Sequence, residues 1–188
     1  IIIDGFSTDA TLEIVRKTSQ TAIVYQLMPT GIYSALNFGL QLVKTKYVCY
    51  VHSDDTINVD FFSNFKNILK NFQDNEEVHI IHGVVDFIDT EGNFLFRRHP
   101  PYLIKCIQKK KNLIFHPNAI YLTELERAFP YSESIGLNAD HMHLTAVISN
   151  IANIKILRSK NIIYRFRLSV KSSTWTKEKK KRDLSEIL

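Results

Sequence analysis

The stretch YVCYVHSDD, residues 47–55, decides the fold class of this chain of 188 residues. Its first five residues are β-branched, aromatic or otherwise apolar, which predicts a short buried strand. The sequence then becomes polar over residues 52–56, at the point where that strand ends. In α/β proteins, ligands bind beyond the carboxyl ends of the strands. The polar end of this strand is therefore the first indication of a functional site.

The sequence on either side of this strand alternates between strand and helix patterns. Residues 1–3 and 22–27 predict two further strands, the first of them uniformly apolar and therefore buried on both faces. Apolar residues recur at helical spacing in a segment that ends near residue 17, in residues 32–44 and in residues 61–72. This order predicts an α/β domain with a mainly parallel sheet flanked by helices.

The second half of the chain contains a predicted hairpin and a later helix. Residues 78–88 and 94–97 flank a turn-rich pentapeptide, which is typical of a β-hairpin. Residues 138–149 predict a helix. Two late strands are expected at residues 154–157 and 162–166, followed by a polar, basic tail or exposed helix from residue 169.

The net charge favours anionic partners in general but does not identify one class of them. The formal net charge is +5 and the pI about 9.1, and much of the excess lies in residues 109–111 and 177–182. A mild basic excess suits a phosphate-bearing substrate, an anionic membrane surface or a nucleic acid. A solvated charged surface is the commoner explanation of such runs.

Cysteine content and hydropathy bear on the compartment. Cys49 and Cys106 are the two cysteines, too few for a disulfide framework, so we expect reduced thiols and a cytoplasmic location. No apolar run approaches the roughly 20 residues of a spanning helix. The first residue is Ile1 rather than Met, and it opens inside a predicted strand. We therefore expect the true N-terminus of the protein to be missing.

The adjacent carboxylates of Asp54 and Asp55 predict a cation site. Two neighbouring acids repel each other, and hard oxygen ligands suit Mg²⁺ or Mn²⁺, which often bridge carboxylates to substrate phosphates. A solvated turn is the alternative, because Ser-Asp-Asp is also good turn chemistry. Asp4 follows a strand in the same way and could either cap the next helix or contact a ligand.

Several motifs carry a resemblance to a known family. IIIDGFSTDAT (residues 1–11), GIYSALNFG (residues 31–39) and the strand ending in Asp-Asp occur in the order of that family's motifs. NADH (residues 138–141) resembles its acid pair at a helix start, and FHP (residues 115–117) resembles its His segment. The chain resembles the family 2 inverting glycosyltransferases of the GT-A (Rossmann-like) fold, whose bacterial members build polysaccharides and lipid-linked glycans.

The resemblance implies roles on the donor side of the site. Asp4 would accept a hydrogen bond from the nucleotide base, uracil, and Gly31 would belong to the nucleotide-sugar site. Asp55 would ligate Mn²⁺ or Mg²⁺, and Asp54 would contact the ribose or the metal shell. The donor would be a UDP-linked sugar.

On the acceptor side, Asp140 would be the catalytic base that deprotonates the acceptor hydroxyl, and His116 would line the acceptor pocket. The acceptor would be a glycan or a lipid-linked glycan. The sequence departs from the family pattern at Ser34, where many relatives carry Asp. It also departs at residues 170–173, which replace a Gly-rich stretch, and in the lack of a His after His143. The family's opening strand, which would precede Ile1, is missing as well, so by the resemblance we expect the first strand of the sheet to be absent.

Three other functions remain open at this stage. The departures fit a catalytically inactive glycosyltransferase-like scaffold, and the basic runs fit a nucleic-acid-binding module. The lack of an aromatic platform beside those runs argues against nucleic acid. A sugar nucleotidyltransferase would need a Gly-rich phosphate loop, which six glycines do not obviously supply. We expect a glycosyltransferase domain at residues 1–168 and a basic tail at residues 169–188 that contacts the inner membrane face peripherally.

Overall fold

The computed structural model describes residues 1–72, 77–99, 114, 116–134 and 139–169. Within these residues the elements are, in chain order, β1 (Ile2–Asp4), α1 (Thr11–Thr18), β2 (Val24–Gln26), α2 (Ile32–Leu42), β3 (Tyr47–Cys49), β4 (Thr56–Ile57), α3 (Phe61–Asn71), β5 (Ile80–Ile88), β6 (Phe94–Arg98), β7 (Ala119–Leu122), α4 (Thr123–Ala128), α5 (Ala139–Asn150) and β8 (Ile156–Arg167). A 3₁₀ turn at His116–Asn118 precedes β7.

The chain divides into two compact units. The first consists of Ile1–Val48 and Tyr121–Ala152, and the second consists of Cys49–Ile120 and Asn153–Leu188. Asp4, Gly31 and Asp140 belong to the first unit. The acid pair and His116 belong to the second.

A two-stranded parallel sheet forms the centre of the first unit. β1 pairs with β2 so that Ile2 lies opposite Val24 and Asp4 opposite Gln26. Helix α2 packs closely on β1, because a Cβ at Gly39 would lie 3.2 Å from the Ile3 side chain. The carboxyl end of β1 is joined to the loop after β2, because the backbone N–H of Leu27 donates to the Asp4 carbonyl oxygen at 2.9 Å.

A mixed sheet of six strands has the order β3-β7-β5-β8-β4, with β6 paired to β5. β5 and β8 are parallel, whereas β4 and β6 run antiparallel to their neighbours. Every residue of β5 is buried, including the polar His82 and Asp86. Helix α3 packs on β8, and within α3 Phe61 is fully buried whereas Phe62 is 51% exposed.

A bulge interrupts the pairing of β5 with β8. His82 lies opposite Arg158, but Val84 lies opposite Ile163, so four residues of β8 face Gly83 alone. Glycine is required there, because a Cβ at Gly83 would lie 2.1 Å from the Ile162 carbonyl oxygen.

The structure confirms most of the predicted elements and corrects three. The α/β class, the alternation of the first half and the β5–β6 hairpin are as expected. The two late strands are instead one strand, β8, because residues 159–162 are accommodated in the bulge. The predicted polar loop leads directly into the short strand β4, which was not predicted, and neither was β7 with α4.

The structure also bears on the state of Cys49 and on membrane-spanning helices. Cys49 is a free thiol, and burial raises its pKa to about 11, so the thiol is protonated and unreactive at neutral pH. In the part of the chain that the structure describes, no helix has the length and apolar character needed to cross a membrane. Cys106 and the basic residues at 109–111 and 177–182 lie outside that part.

Candidate active site

Asp55 is anchored by two hydrogen bonds from the end of β8. Its Oδ2 accepts a hydrogen bond of 2.7 Å from the Tyr164 hydroxyl, and its Oδ1 accepts one of 2.8 Å from the backbone N–H of Arg167. The Tyr164 hydroxyl in turn accepts a hydrogen bond from the backbone N–H of His52 at 3.2 Å. The side chain of Tyr164 therefore ties both ends of the 52–55 loop to β8.

Burial is the main cause of the pKa shifts of Asp55 and Tyr164. Asp55 is 8% exposed, and burial raises its pKa above the usual carboxyl value, with the hydrogen bonds from Arg167 and Tyr164 acting against that shift. Burial and the nearby Asp55 charge also raise the pKa of Tyr164, which therefore stays protonated as a donor. A buried carboxylate of this kind gains from a nearby cation, which offsets its desolvation.

Asp54 differs from Asp55 in its surroundings. Its side chain lies in an exposed turn, and its backbone carbonyl accepts a hydrogen bond of 2.8 Å from Arg167 Nε. The Nη1 atom of the same guanidinium donates to the carbonyls of Asp89 and Thr90, each at 2.9 Å. Arg167 thus joins the acid loop to the turn of the β5–β6 hairpin.

The acid pair fits a divalent cation in part. Each carboxylate oxygen of Asp55 retains a lone pair beside its hydrogen bond, and metal-ligating carboxylates are commonly oriented by such bonds. Asp54 adds an exposed carboxylate next to it. Among the described residues no group of three or more His, Cys, Asp or Glu side chains could hold a metal. Mg²⁺ and Mn²⁺ often use one or two carboxylates together with substrate phosphates, and the pair meets that requirement.

His116 is a buried residue of the 3₁₀ turn. It is 7% exposed, and its ring stacks on Tyr50 with a centroid separation of 5.2 Å. Packing against Tyr50 is therefore enough to explain a histidine at this position. Its predicted contact with the acceptor stays a prediction.

Asp4 lies at the carboxyl end of β1 and organises the turn that follows. Its carboxylate accepts hydrogen bonds from the backbone N–H and the hydroxyl of Ser7 and, at 3.1 Å, from Gln26 Nε2. The hydrogen bond from the Ser7 hydroxyl has the largest effect in lowering the pKa of Asp4, and the hydrogen bond from Gln26 lowers it further. The side chain is 4% exposed. Its predicted contact with the nucleotide base stays a prediction.

Gly31 begins helix α2 with a backbone conformation that favours glycine. Its φ is +134°, and its carbonyl accepts the first helical hydrogen bond, from the N–H of Ala35 at 3.3 Å. The glycine of the GIYSALNFG motif is therefore explained by backbone geometry. A role of Gly31 in nucleotide-sugar binding stays a prediction.

Asp140 lies half-buried in the first turn of α5, as expected. The N-terminal end of a helix favours a negative charge. Tyr33 lies on α2, and burial followed by the Asp140 charge raises the pKa of its phenol.

A buried polar cluster lies one turn further along α5. His143 Nδ1 lies 2.6 Å from the Phe129 carbonyl oxygen, and its Nε2 lies 2.8 Å from Glu126 Oε1. A carbonyl only accepts, so Nδ1 donates there and a proton lies between Nε2 and the Glu126 carboxyl. The hydroxyl of Tyr131 donates to Glu126 Oε2 at 2.7 Å.

Sequence reasoning missed Tyr164, Arg167, Glu126 and Tyr131. Tyr164 alternates with apolar residues in β8 and looks like core packing. Its buried hydroxyl needs a partner, and this was the available signal. Arg167 carries no local signal, because its role depends on the residues that folding brings to the end of β8.

The comparisons with known proteins agree with this architecture. The family model described as Glycosyl transferase family 2 matches residues 1–132. No curated protein matches the chain in sequence.

Solved structures share its fold. A crystal structure of S. aureus TarS 1-349 matches with a TM-score of 0.65 and 21% identity, over 88% of this chain and 50% of that one. The same protein in complex with UDP-GlcNAc matches with a TM-score of 0.65 and 20% identity, over 89% and 48%. The mannosyltransferase PcManGT from Pyrobaculum calidifontis, in complex with GDP-Man and Mn²⁺, matches with a TM-score of 0.58 and 17% identity, over 90% and 48%.

The chain spans about half the length of these structures. At such identities the likeness concerns the fold, whereas the family follows from the model that matches more than half of the chain. The chain belongs to glycosyl transferase family 2 and has the GT-A fold.

Proposed function

We propose that the protein is an inverting, metal-dependent glycosyltransferase that moves a sugar from a UDP-linked donor to a glycan or lipid-linked acceptor. The observation that carries the proposal is the acid pair after β3, in which Asp55 is held by Tyr164 and the Arg167 backbone while Asp54 remains exposed. TarS, which shares the fold, has been crystallised with UDP and with UDP-GlcNAc, and this favours UDP as the nucleotide.

The acid pair supplies the donor half of the chemistry. Asp54 and Asp55 would hold Mn²⁺ or Mg²⁺. When bound, the cation supplies positive charge that offsets the charge developing on the leaving diphosphate. Tyr164 and the Arg167 N–H keep the Asp55 carboxylate in a fixed orientation, so no hydrogen bond within the loop needs to rearrange when charge develops.

Asp140 supplies the acceptor half. Its carboxylate takes the proton of the acceptor hydroxyl as that oxygen bonds to the anomeric carbon, and the bond from that carbon to the diphosphate oxygen breaks. A positioned base of this kind contributes about 10²–10⁴-fold in rate. A single displacement with one base inverts the anomeric centre, and no carboxylate is needed as a covalent nucleophile.

A thermal-shift panel tests the nucleotide and the metal together. The panel contains UDP, GDP, CDP and ADP, each with and without Mn²⁺. A ligand at one hundred times its Kd raises the free energy of unfolding by about 2.7 kcal/mol, so a true ligand gives a clear rise in Tm. We expect the largest rise with UDP and Mn²⁺ together. A panel without any metal-dependent rise would contradict the proposal and favour an inactive scaffold.

We further propose a cytoplasmic location, with the basic residues at 177–182 attaching the protein to the inner membrane face. Each basic residue near an anionic surface contributes about 1 kcal/mol, and the attraction falls off within a Debye length. Co-sedimentation with liposomes of graded anionic lipid content tests this attachment, with duplex DNA as a competitor. Equal sedimentation of the intact chain and of a variant truncated after Thr176 would contradict it.

A further inference from the structure

Gln26 and Asp4 stand at the same edge of the two-stranded sheet in the first unit, each as the last residue of its strand. They are register partners in the parallel pair β1–β2, so their side chains leave the sheet on the same face. The Nε2 atom of Gln26 donates a hydrogen bond of 3.1 Å to Asp4 Oδ2. Both side chains therefore lie at the carboxyl ends of parallel strands, which is where ligands bind in α/β proteins.

The Asp4 carboxylate is engaged by groups of the protein itself. Its Oδ1 accepts a hydrogen bond from the Ser7 hydroxyl, and its Oδ2 accepts one of 3.0 Å from the Ser7 backbone N–H besides that of Gln26. These bonds lower the pKa of Asp4, so the carboxylate is ionised at neutral pH and accepts hydrogen bonds without donating any. The side chain is also buried, so the exposed polar group at this edge of the sheet is the amide of Gln26.

The Asp4 carboxylate fixes the orientation of the Gln26 amide. Because an ionised carboxylate only accepts, the NH₂ group of Gln26 faces Asp4, and the Oε1 atom is directed away from it. Within the described residues the Gln26 side chain has no second hydrogen-bond partner. The Oε1 atom and the second N–H of the amide are therefore available to a ligand as an adjacent acceptor and donor.

An exposed aromatic residue lies in the turn that Asp4 anchors. Phe6 stands between Asp4 and Ser7, is 48% exposed, and has a backbone φ of +61°. Bulky residues rarely adopt this left-handed conformation, and residues that do so are concentrated at functional sites. Packing in the core does not account for an aromatic side chain that is half exposed at such a position.

We propose that Gln26 recognises the nucleobase of the donor and that Phe6 supplies the face on which the base stacks. The inference rests on the proposed function, in which the donor is UDP-linked. The Oε1 atom of Gln26 accepts a hydrogen bond from the N3–H of uracil, while the second amide N–H donates to a neighbouring carbonyl of the ring. Asp4 is then a positioning residue, which acts on the base through Gln26. The site takes a flat heterocycle whose edge carries an N–H beside a carbonyl.

Calorimetric titration with UDP in the presence of Mn²⁺ compares Gln26→Ala with Gln41→Ala in the full chain. Gln41 is an exposed glutamine on α2 in the same unit, so its substitution removes the same amide. We expect Gln26→Ala to weaken UDP binding about tenfold and Gln41→Ala to leave it unchanged. Equal affinities of the two variants would overturn the inference and leave the proposed function in place. A wild-type protein that binds no UDP would instead overturn the assignment of the donor, and the inference with it.

Methylated nucleotides test the contact at the level of single atoms. 3-Methyl-UDP lacks the N3–H, whereas 5-methyl-UDP carries its methyl group on another edge of the ring. The wild type should bind 3-methyl-UDP about tenfold more weakly than 5-methyl-UDP, and Gln26→Ala should bind the two alike. A preference that is equal in the wild type and the variant would overturn the assignment of Gln26.

A double-mutant cycle tests whether Asp4 acts through Gln26. Asp4→Asn places an amide where the carboxylate only accepted, so the Gln26 amide loses its fixed orientation and UDP affinity falls. In a Gln26→Ala background the same substitution should cause no further loss. A further loss there would show that Asp4 contacts the base directly, and would overturn its role as a positioning residue.

Phe6→Gly tests the stacking face and contains its own check on folding. Glycine adopts a φ of +61° without strain, so the Tm of the variant should not fall. Its affinity for UDP with Mn²⁺ should fall about tenfold, because the aromatic surface under the base is lost. Unchanged affinity of the folded variant would overturn the stacking role of Phe6.

Discussion

The Tyr164 hydroxyl donates a hydrogen bond of 2.7 Å to Asp55 Oδ2 across 109 positions of sequence. The bond joins the last strand of the sheet to the loop that carries the acid pair. Its loss leaves a buried carboxylate oxygen and the His52 N–H without this partner, and such groups cost about 1–3 kcal/mol each.

Tyr164→Phe should therefore weaken both stability and metal-dependent nucleotide binding. Groups that orient a metal-ligating carboxylate change metal affinity about 10–100-fold when removed, so we expect a loss of that size in the Mn²⁺-dependent affinity for UDP. Calorimetric titration measures it. In an Asp55→Asn background the same substitution should have no further effect on affinity, and an additional loss there would show that Tyr164 acts elsewhere.

Glu126→Ala should destabilise the first unit far more than Glu124→Ala. Glu126 is fully buried, and its loss removes the acceptor of both His143 Nε2 and the Tyr131 hydroxyl. Breaking a buried pair costs about 3–5 kcal/mol. Glu124 lies on the same helix with an exposed ion pair to Arg127, and such pairs contribute about 1 kcal/mol or less. Urea unfolding distinguishes the two variants, and equal losses would contradict the buried network.

Gly83→Ala should destabilise the sheet because its Cβ would meet the Ile162 carbonyl oxygen at 2.1 Å. Backbone cannot move aside as a flexible side chain does, so we expect a loss of about 3 kcal/mol, at the upper end of overpacking costs. Gly5→Ala is the matched control, since its Cβ would make an ordinary contact with Pro29 at 3.6 Å. Equal decreases in Tm for the two variants would show that Gly83 is not in tight contact with the β8 backbone.

The stability of the protein should fall as the pH falls from about 6.5 to about 4. Burial, with a smaller effect from the Arg158 charge, lowers the pKa of His82 from 6.5 to about 4. In this window the unfolded chain binds a proton at His82 that the folded chain does not, so acid favours unfolding, by up to about 3 kcal/mol. The raised pKa of Asp55 acts in the opposite direction as the pH falls.

His82→Leu isolates this effect. Urea unfolding at pH 4, 5, 6 and 7 should give a smaller decrease in stability toward acid pH for the variant than for the wild type. Parallel pH profiles for the two proteins would show that His82 does not carry the acid sensitivity.

The sequence predicted the elements whose signal is local. The apolar run before His52 and the helical spacing after Gly31 each specify one element and its end, and both are found. Asp54 and Asp55 could be singled out because they stand at the end of a strand, and Asp140 because residues 138–141 resemble the family's acid pair at a helix start.

The partners of these residues could not be predicted in the same way. Tyr164 and Arg167 reach Asp55 from more than 100 positions away, through a sheet register that a bulge at Gly83 sets. The polar residues 158–161 suggested a break between two strands, but the bulge allows β8 to continue past them. Contacts of this kind depend on tertiary packing, which a local pattern does not contain.

The central claim is that the acid pair binds a nucleoside diphosphate through a divalent cation. Calorimetric titration of UDP, with and without Mn²⁺, tests it on the wild type, on Asp54→Asn and on Asp60→Asn. Asp54 is the sharper probe, since Asp55 is buried and its substitution also removes internal hydrogen bonds. Asp60, another exposed acid in the same unit, is the control. We predict that Mn²⁺ strengthens UDP binding in the wild type and in Asp60→Asn, and that Asp54→Asn loses this gain. Binding of UDP that is equally strong with and without Mn²⁺, or a gain that Asp54→Asn retains, would contradict the claim.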